Sequence, residues 1–143
     1  MAISTFLPKA PEITEWTVVS RSAVSDESDT TSPFAVDFLS SAQIVLVATD
    51  DAGGTSPTLD VSIEEQNADG STYRDIARFS TLTSTNTLTP SILDFVHSGN
   101  AIGTSSTTIA AGTVRTANMG GYWRIQWTMS GTWTFTVYGN FKQ

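Results

Sequence analysis

The chain has 143 residues, 39% hydrophobic and 15% charged, with a net charge of −7. That is enough length and apolar content for one self-supporting domain, which argues against wholesale disorder. The seven basic residues are dispersed, which argues against binding to nucleic acid or to an anionic membrane. The absence of cysteine rules out a disulfide scaffold, a thiolate metal site and a cysteine nucleophile.

Ser and Thr make up roughly a quarter to a third of the chain. With Val, Ile and aromatic residues they favour pleated, half-buried surfaces over helices, so the expected fold class is all-β. The sequence Met1-Ala2-Ile3-Ser4-Thr5-Phe6-Leu7-Pro8-Lys9 has no basic segment leading into an apolar one, so synthesis and folding in a cytoplasm are expected. Residues 1–14, with Pro8 and Pro11, read as an extended N-terminal arm, either docked on a neighbour or frayed. Phe6, Leu7, Pro8 and Ile13 are its apolar handles and the expected interface residues.

Residues 15–143 read as a single domain. Trp16-Thr17-Val18-Val19-Ser20 is the first candidate strand, followed by a polar, acidic loop from Ser25 to Pro33. In Phe34-Ala35-Val36-Asp37-Phe38 alternation puts Phe34, Val36 and Phe38 on one face. Ile44-Val45-Leu46-Val47-Ala48 is continuously apolar, as in a strand buried on both faces, and far too short to span a membrane. Asp50 to Pro57 is a turn by its chemistry. Leu59, Val61 and Ile63 then point inward and Asp60, Ser62 and Glu64 outward, and Asp69-Gly70 closes a hairpin onto a strand from Tyr73 to Phe79.

The stretch 80–121 is less patterned. Leu88 and Ile92 to Val96 suggest a strand or a short helical turn, Thr107-Thr108-Ile109 a weak strand, and the remainder a long loop. Trp123, Ile125, Trp127 and Met129, then Ser130-Gly131, then Trp133, Phe135, Val137 and Phe141 read as a hairpin with an aromatic face. Short strands with regular turn signals imply an antiparallel β-sandwich or barrel, jelly-roll-like in style, behind the extended arm.

No catalytic constellation emerges. The single histidine, His97, has no nucleophile elbow to serve, and one His without Cys does not make a zinc site. Glu64 or Glu65 with Asp94 is a carboxylate pair on paper, but Glu64 and Glu65 read as solvated charges at a strand end. The acidic loops Asp26-Glu27-Ser28-Asp29 and Asp50-Asp51 lack calcium-loop spacing. Asp69-Gly70-Ser71-Thr72-Tyr73 has the wrong spacing, and only one copy, for a propeller Asp-box. Catalytic, cofactor and metal residues are therefore expected to be none. Trp16, Tyr73, Tyr122 and Tyr138 are the aromatics that could stack on a glycan if exposed.

Two segments carry a resemblance. Thr58 to Phe79 contains Thr58-Leu59-Asp60-Val61, then Glu65-Gln66-Asn67-Ala68-Asp69-Gly70-Ser71-Thr72-Tyr73, then Ile76-Ala77-Arg78-Phe79. This resembles a strand-turn-strand pattern of small structural proteins of tailed bacteriophages. Gly121-Tyr122-Trp123-Arg124-Ile125-Gln126-Trp127-Thr128-Met129-Ser130-Gly131-Thr132-Trp133-Thr134-Phe135 resembles the hairpin that closes them. Together the stretches cover about a third of the chain. The resemblance implies a virion component with no catalytic residues. On this reading the chain is a capsid decoration (cement) protein, made in the host cytoplasm and carried on the capsid surface. It would bind the major capsid protein and assemble as a homo-oligomer, a trimer. The alternative is a tail-associated or receptor- or glycan-binding β-module.

Overall fold

The computed structural model describes residues 13–37, 39, 41–50, 56–83, 91–96, 110–114 and 121–142. Phe6, Leu7 and Pro8 of the expected arm, and the weak strand at Thr107 to Ile109, lie outside them. All regular structure among the described residues is β. The longer strands are β1 (Ile13–Ser25), β4 (Ser41–Asp50), β5 (Thr58–Gln66), β6 (Tyr73–Arg78), β8 (Ser91–Val96), β10 (Tyr122–Ser130) and β11 (Thr132–Lys142). Short pieces complete the set: β2 (Ser28–Thr30), β3 (Phe34–Ala35), β7 (Leu82–Thr83) and β9 (Thr113–Val114).

They form two antiparallel sheets packed face to face, a β-sandwich. One has the order β1-β11-β4-β8. The other runs β2-β10-β5-β6-β9, with β3 on β10 and β7 on β5. Alternation decides which side chains fill the space between them. Ala42, Ile44, Leu46 and Ala48 of β4 and Trp133, Phe135 and Val137 of β11 face Leu59, Val61 and Ile63 of β5 and Trp123, Ile125 and Trp127 of β10.

The aromatic C-terminal pair differs from its expected form. β10 and β11 do not pair with each other: β10 bonds β5 and β2, while β11 bonds β1 and β4. The chain crosses from one sheet to the other at Ser130-Gly131, making an arch. Two adjacent strands in a hairpin would present their aromatic faces side by side and need another layer to cover both. In the arch the faces cover each other, so Trp127 and Phe135, each four residues from Gly131, meet at 5.8 Å with rings inclined by 60°. Gly131 makes the corner possible. Its φ is +79°, and a Cβ there would lie 2.8 Å from the Cβ of Pro57.

A second arch stacks on the first. β1 crosses to β2 through Asp26 and Glu27, so the expected acidic loop contains an edge strand. Asp26 N–H donates to the Gly131 carbonyl (3.2 Å), and Asp26 Oδ1 accepts from Gly131 N–H (2.9 Å). Hydroxyl pairs line the seam, with Ser25 and Thr132 at 2.5 Å and Ser28 and Thr128 at 3.0 Å. The Arg21 guanidinium lies 4.8 Å from the Trp127 ring centroid and within 3.5 Å of Glu27, tying the two sheets along this edge.

Three further expectations are settled here. The Ile44–Ala48 run is buried on one face only: Ile44, Leu46 and Ala48 are enclosed, but Val45 and Val47 are half-buried, because among the described residues no third layer covers the outer face. Ile92 to Val96 belongs to a strand, β8, paired with β4. Ile13 and Thr14 pair with Lys142 and Phe141, so β1 begins two residues inside the expected arm.

Gly131→Ala should lower the unfolding free energy by about 1–3 kcal/mol, seen as a lower denaturant midpoint at unchanged slope. An unchanged midpoint would mean that the corner does not need its left-handed glycine.

Candidate functional site

The outward face of the larger sheet carries a polar cleft of about 330 Å³, built on β5, β6 and β10. Strand register sets its grid. Asp60 lies opposite Thr128, Ser62 opposite Gln126 and Glu64 opposite Arg124. On the other side of β5, Ser62 faces Arg78 and Glu64 faces Asp75. Asp75 and Arg78 are three residues apart, and simple alternation would put them on opposite faces. The register shift between Ile63 and Glu64 absorbs one residue of β6, so both line the cleft.

Ion pairs and hydrogen bonds fix the lining. Arg78 Nη2 is 3.4 Å from Asp60 Oδ1, which also accepts from the Thr81 hydroxyl at 2.6 Å. Arg124 Nε donates to Glu64 Oε2, and its guanidinium lies 3.8 Å from the centroid of the Tyr73 ring. Ser62 Oγ donates to Gln126 Oε1 at 3.4 Å. Glu64 and Asp75 are only 8% and 5% exposed. Burying a carboxylate is tolerated when a partner compensates its lost hydration; for Glu64 that partner is Arg124.

This corrects the reading of Glu64 and Glu65 as solvated charges. Glu65 points to the opposite face, is 5% exposed, and pairs with Arg74 Nη2 at 2.8 Å. The partners come from neighbouring strands, which spacing along β5 does not reveal. Nor do Glu64 and Asp94 share a cleft, since Asp94 sits on β8 in the other sheet. His97 lies outside the described residues. Among those residues no group of three or more His, Cys, Asp or Glu side chains is placed to hold a metal ion.

The four glycan-stacking candidates separate. Tyr73 lines the cleft under Arg124. Tyr122 stands on the same outward row of β10, two residues before Arg124, and is 49% exposed. Tyr138 is half-buried on the outer face of the smaller sheet.

Trp16 is 43% exposed and belongs to a different surface. It forms an aromatic cluster at one end of the sandwich, with its ring 5.1 Å from Phe34, edge to face, and 5.8 Å from Phe141. Trp16 lies opposite Gly139, and the Phe141 ring folds over the space where a residue 139 side chain would stand. This end is where β1 begins, beside the end of β11. Sequence alternation alone could not separate the exposed Trp16 from the buried Trp123, Trp127 and Trp133.

Compared with known proteins, the chain matches no family model, no curated sequence and no solved structure.

The loop between β5 and β6 borders the cleft and carries its own acid-sensitive element. Gly70, at φ +72°, closes a turn onto Asn67. Asp69 accepts from the Thr72 hydroxyl (2.5 Å) and from the Thr72 and Ser71 backbone N–H groups. These bonds, the Thr72 hydroxyl foremost, hold its carboxyl at about 2 rather than 3.8. Because the folded-state value is depressed, the stability these bonds contribute is complete above pH 3.8 and is lost as pH falls through about 2. A side-chain carboxyl NMR titration should place Asp69 near 2, and Thr72→Val should move it up towards 3.8. A midpoint near 3.8 in the unaltered chain would show the loop open in solution.

Proposed function

We propose that this chain is a non-enzymatic structural module of a tailed-phage virion, a capsid decoration protein that binds the major capsid protein and assembles as a homotrimer on the head. The observation that carries the reading is the exposed ring of Trp16, packed on the partly buried Phe34 and the buried Phe141 near the start of β1. A half-exposed tryptophan is the kind of side chain that packs against another protein. Trp16 lies three residues after Ile13, where β1 begins; Phe6, Leu7 and Pro8 precede that point in the sequence and are proposed to contribute to the same interface.

The two stretches that carry the resemblance lie side by side in the fold. The two phage-like segments lie roughly forty residues apart in sequence, yet β5 pairs with β10 along its length, from Thr58 opposite Ser130 to Glu65 opposite Trp123. They form one physical unit.

The test is cosedimentation with capsids lacking this protein, together with its copy number in purified particles. Hundreds of copies, in simple proportion to the major capsid protein, are expected. Trp16→Ser, or removal of residues 1–12, should weaken capsid binding by roughly tenfold or more while leaving the β-sheet circular dichroism spectrum intact. A few to a few dozen copies would place the protein in the neck or tail, and none would end the virion reading.

A further inference from the structure

We infer that the cleft on the outward face of β5, β6 and β10 binds a neutral polyhydroxylated ligand, a sugar ring of a glycan, with Glu64, Asp75 and Gln126 as polar contacts and Tyr122 as an adjoining stacking platform. The inference rests on this face alone and does not depend on the virion reading.

Shape comes first. The outer face of a two-layer sheet ordinarily presents solvated side chains, yet here Ser62, Glu64 and Asp75 are each more than nine-tenths buried along a cleft of about 330 Å³. That volume is at the small end of ligand sites, roughly 300–1,000 Å³, and suits one small molecule better than a protein segment.

Chemistry narrows the occupant. A carboxylate accepts hydrogen bonds from two hydroxyls, an amide side chain both gives and accepts, and a guanidinium donates in a planar fork. Sugar hydroxyls need this mixture of donors and acceptors, whereas an apolar ligand would need apolar walls. Three carboxylates, Asp60, Glu64 and Asp75, stand with two guanidinium groups, those of Arg78 and Arg124. The carboxylate excess disfavours a phosphate or carboxylate ligand, and the arginines oppose a simple cation. A neutral polyol meets neither penalty.

The groups are also held in advance. Asp60 is fixed by Arg78 and Thr81, Glu64 by Arg124, and Gln126 by Ser62. Binding then costs little ordering of side chains. Arg124 occupies one face of Tyr73; beyond the cleft lining, two residues before Arg124 on the same row of β10, the half-exposed ring of Tyr122 can stack on the C–H face of a further sugar unit.

The full chain, labelled with ¹⁵N, would be titrated with the methyl glycosides of glucose, galactose, mannose and N-acetylglucosamine, and separately with inorganic phosphate. At least one glycoside should shift the amide resonances of Ser62, Asp75 and Gln126 saturably, and phosphate should not. Asp75→Asn should weaken that binding by roughly tenfold. Gln126→Ala and Tyr122→Ser, at less buried positions, should do the same with the rest of the spectrum unchanged. The inference is overturned if no glycoside shifts these resonances, if the shifts map to another surface, if phosphate saturates the cleft first, or if the folded variants bind as the parent does.

Discussion

The structure depends on one corner, the place where two strand pairs change sheets together. Asp26 and Gly131 exchange two hydrogen bonds there, one from each N–H. Because β1 pairs with β11 and β2 with β10, the same corner sets the separation of the sheets and the register along one whole edge. It uses two left-handed residues, Asp26 at φ +50° and Gly131 at φ +79°. Asp tolerates that region better than most side chains because it bonds locally, and here its carboxylate accepts from the backbone it faces. The corner thus converts a backbone conformation that is costly on its own into an inter-sheet clasp.

Everything between the sheets follows from the crossing. Because the chain changes sheets at Gly131, the apolar rows of β10 and β11 line the same interior from opposite sheets. Trp127 is held by Phe135 on the opposite strand and by the Arg21 guanidinium at the edge. The outer faces are then free for polar residues, and the high Ser and Thr content has a structural use there. Ser20 and Thr136 bond across strands at 3.0 Å, and the Thr134 hydroxyl accepts from the Ala23 N–H beside a bulge in β1. Cross-strand hydroxyl pairs of this kind stabilise a sheet modestly without burying apolar area.

Faces were legible in the sequence, and partners were not. A period of two told that Leu59, Val61 and Ile63 point inward and Asp60, Ser62 and Glu64 outward, and all six do. The same period could not say whether Trp123–Met129 and Trp133–Phe141 lie side by side or face each other, because both arrangements bury the same residues. Ser130-Gly131 suits a hairpin turn as well as an arch, and its partner in the arch is Asp26, 105 residues away. The bulge that brings Asp75 and Arg78 to one face leaves no mark in a six-residue strand. Exposure at Trp16 is set by its position at the mouth of the sandwich, a property of the assembled sheets. Pairing of Glu64 with Arg124 and of Glu65 with Arg74 was equally hidden, since each partner arrives from another strand.

The placement of positive charge links these points. In a chain of net charge −7 with seven basic residues, Arg74, Arg78 and Arg124 all stand beside carboxylates of β5: Glu65, Asp60 and Glu64 respectively. Exposed ion pairs add little to stability, and partly buried ones often lose as much in hydration as they gain in attraction. Three of them on one strand are therefore poorly explained as a source of folding energy. Their effect is on geometry: an arginine on each side of β5 resists a slip in register that would carry an unpaired carboxylate into the core. Two of the pairs, Arg78 with Asp60 and Arg124 with Glu64, also hold the donors and acceptors of the outward cleft in fixed positions. Strand register and cleft shape are thus set by a single group of contacts, so the cleft is as rigid as the sheet that carries it.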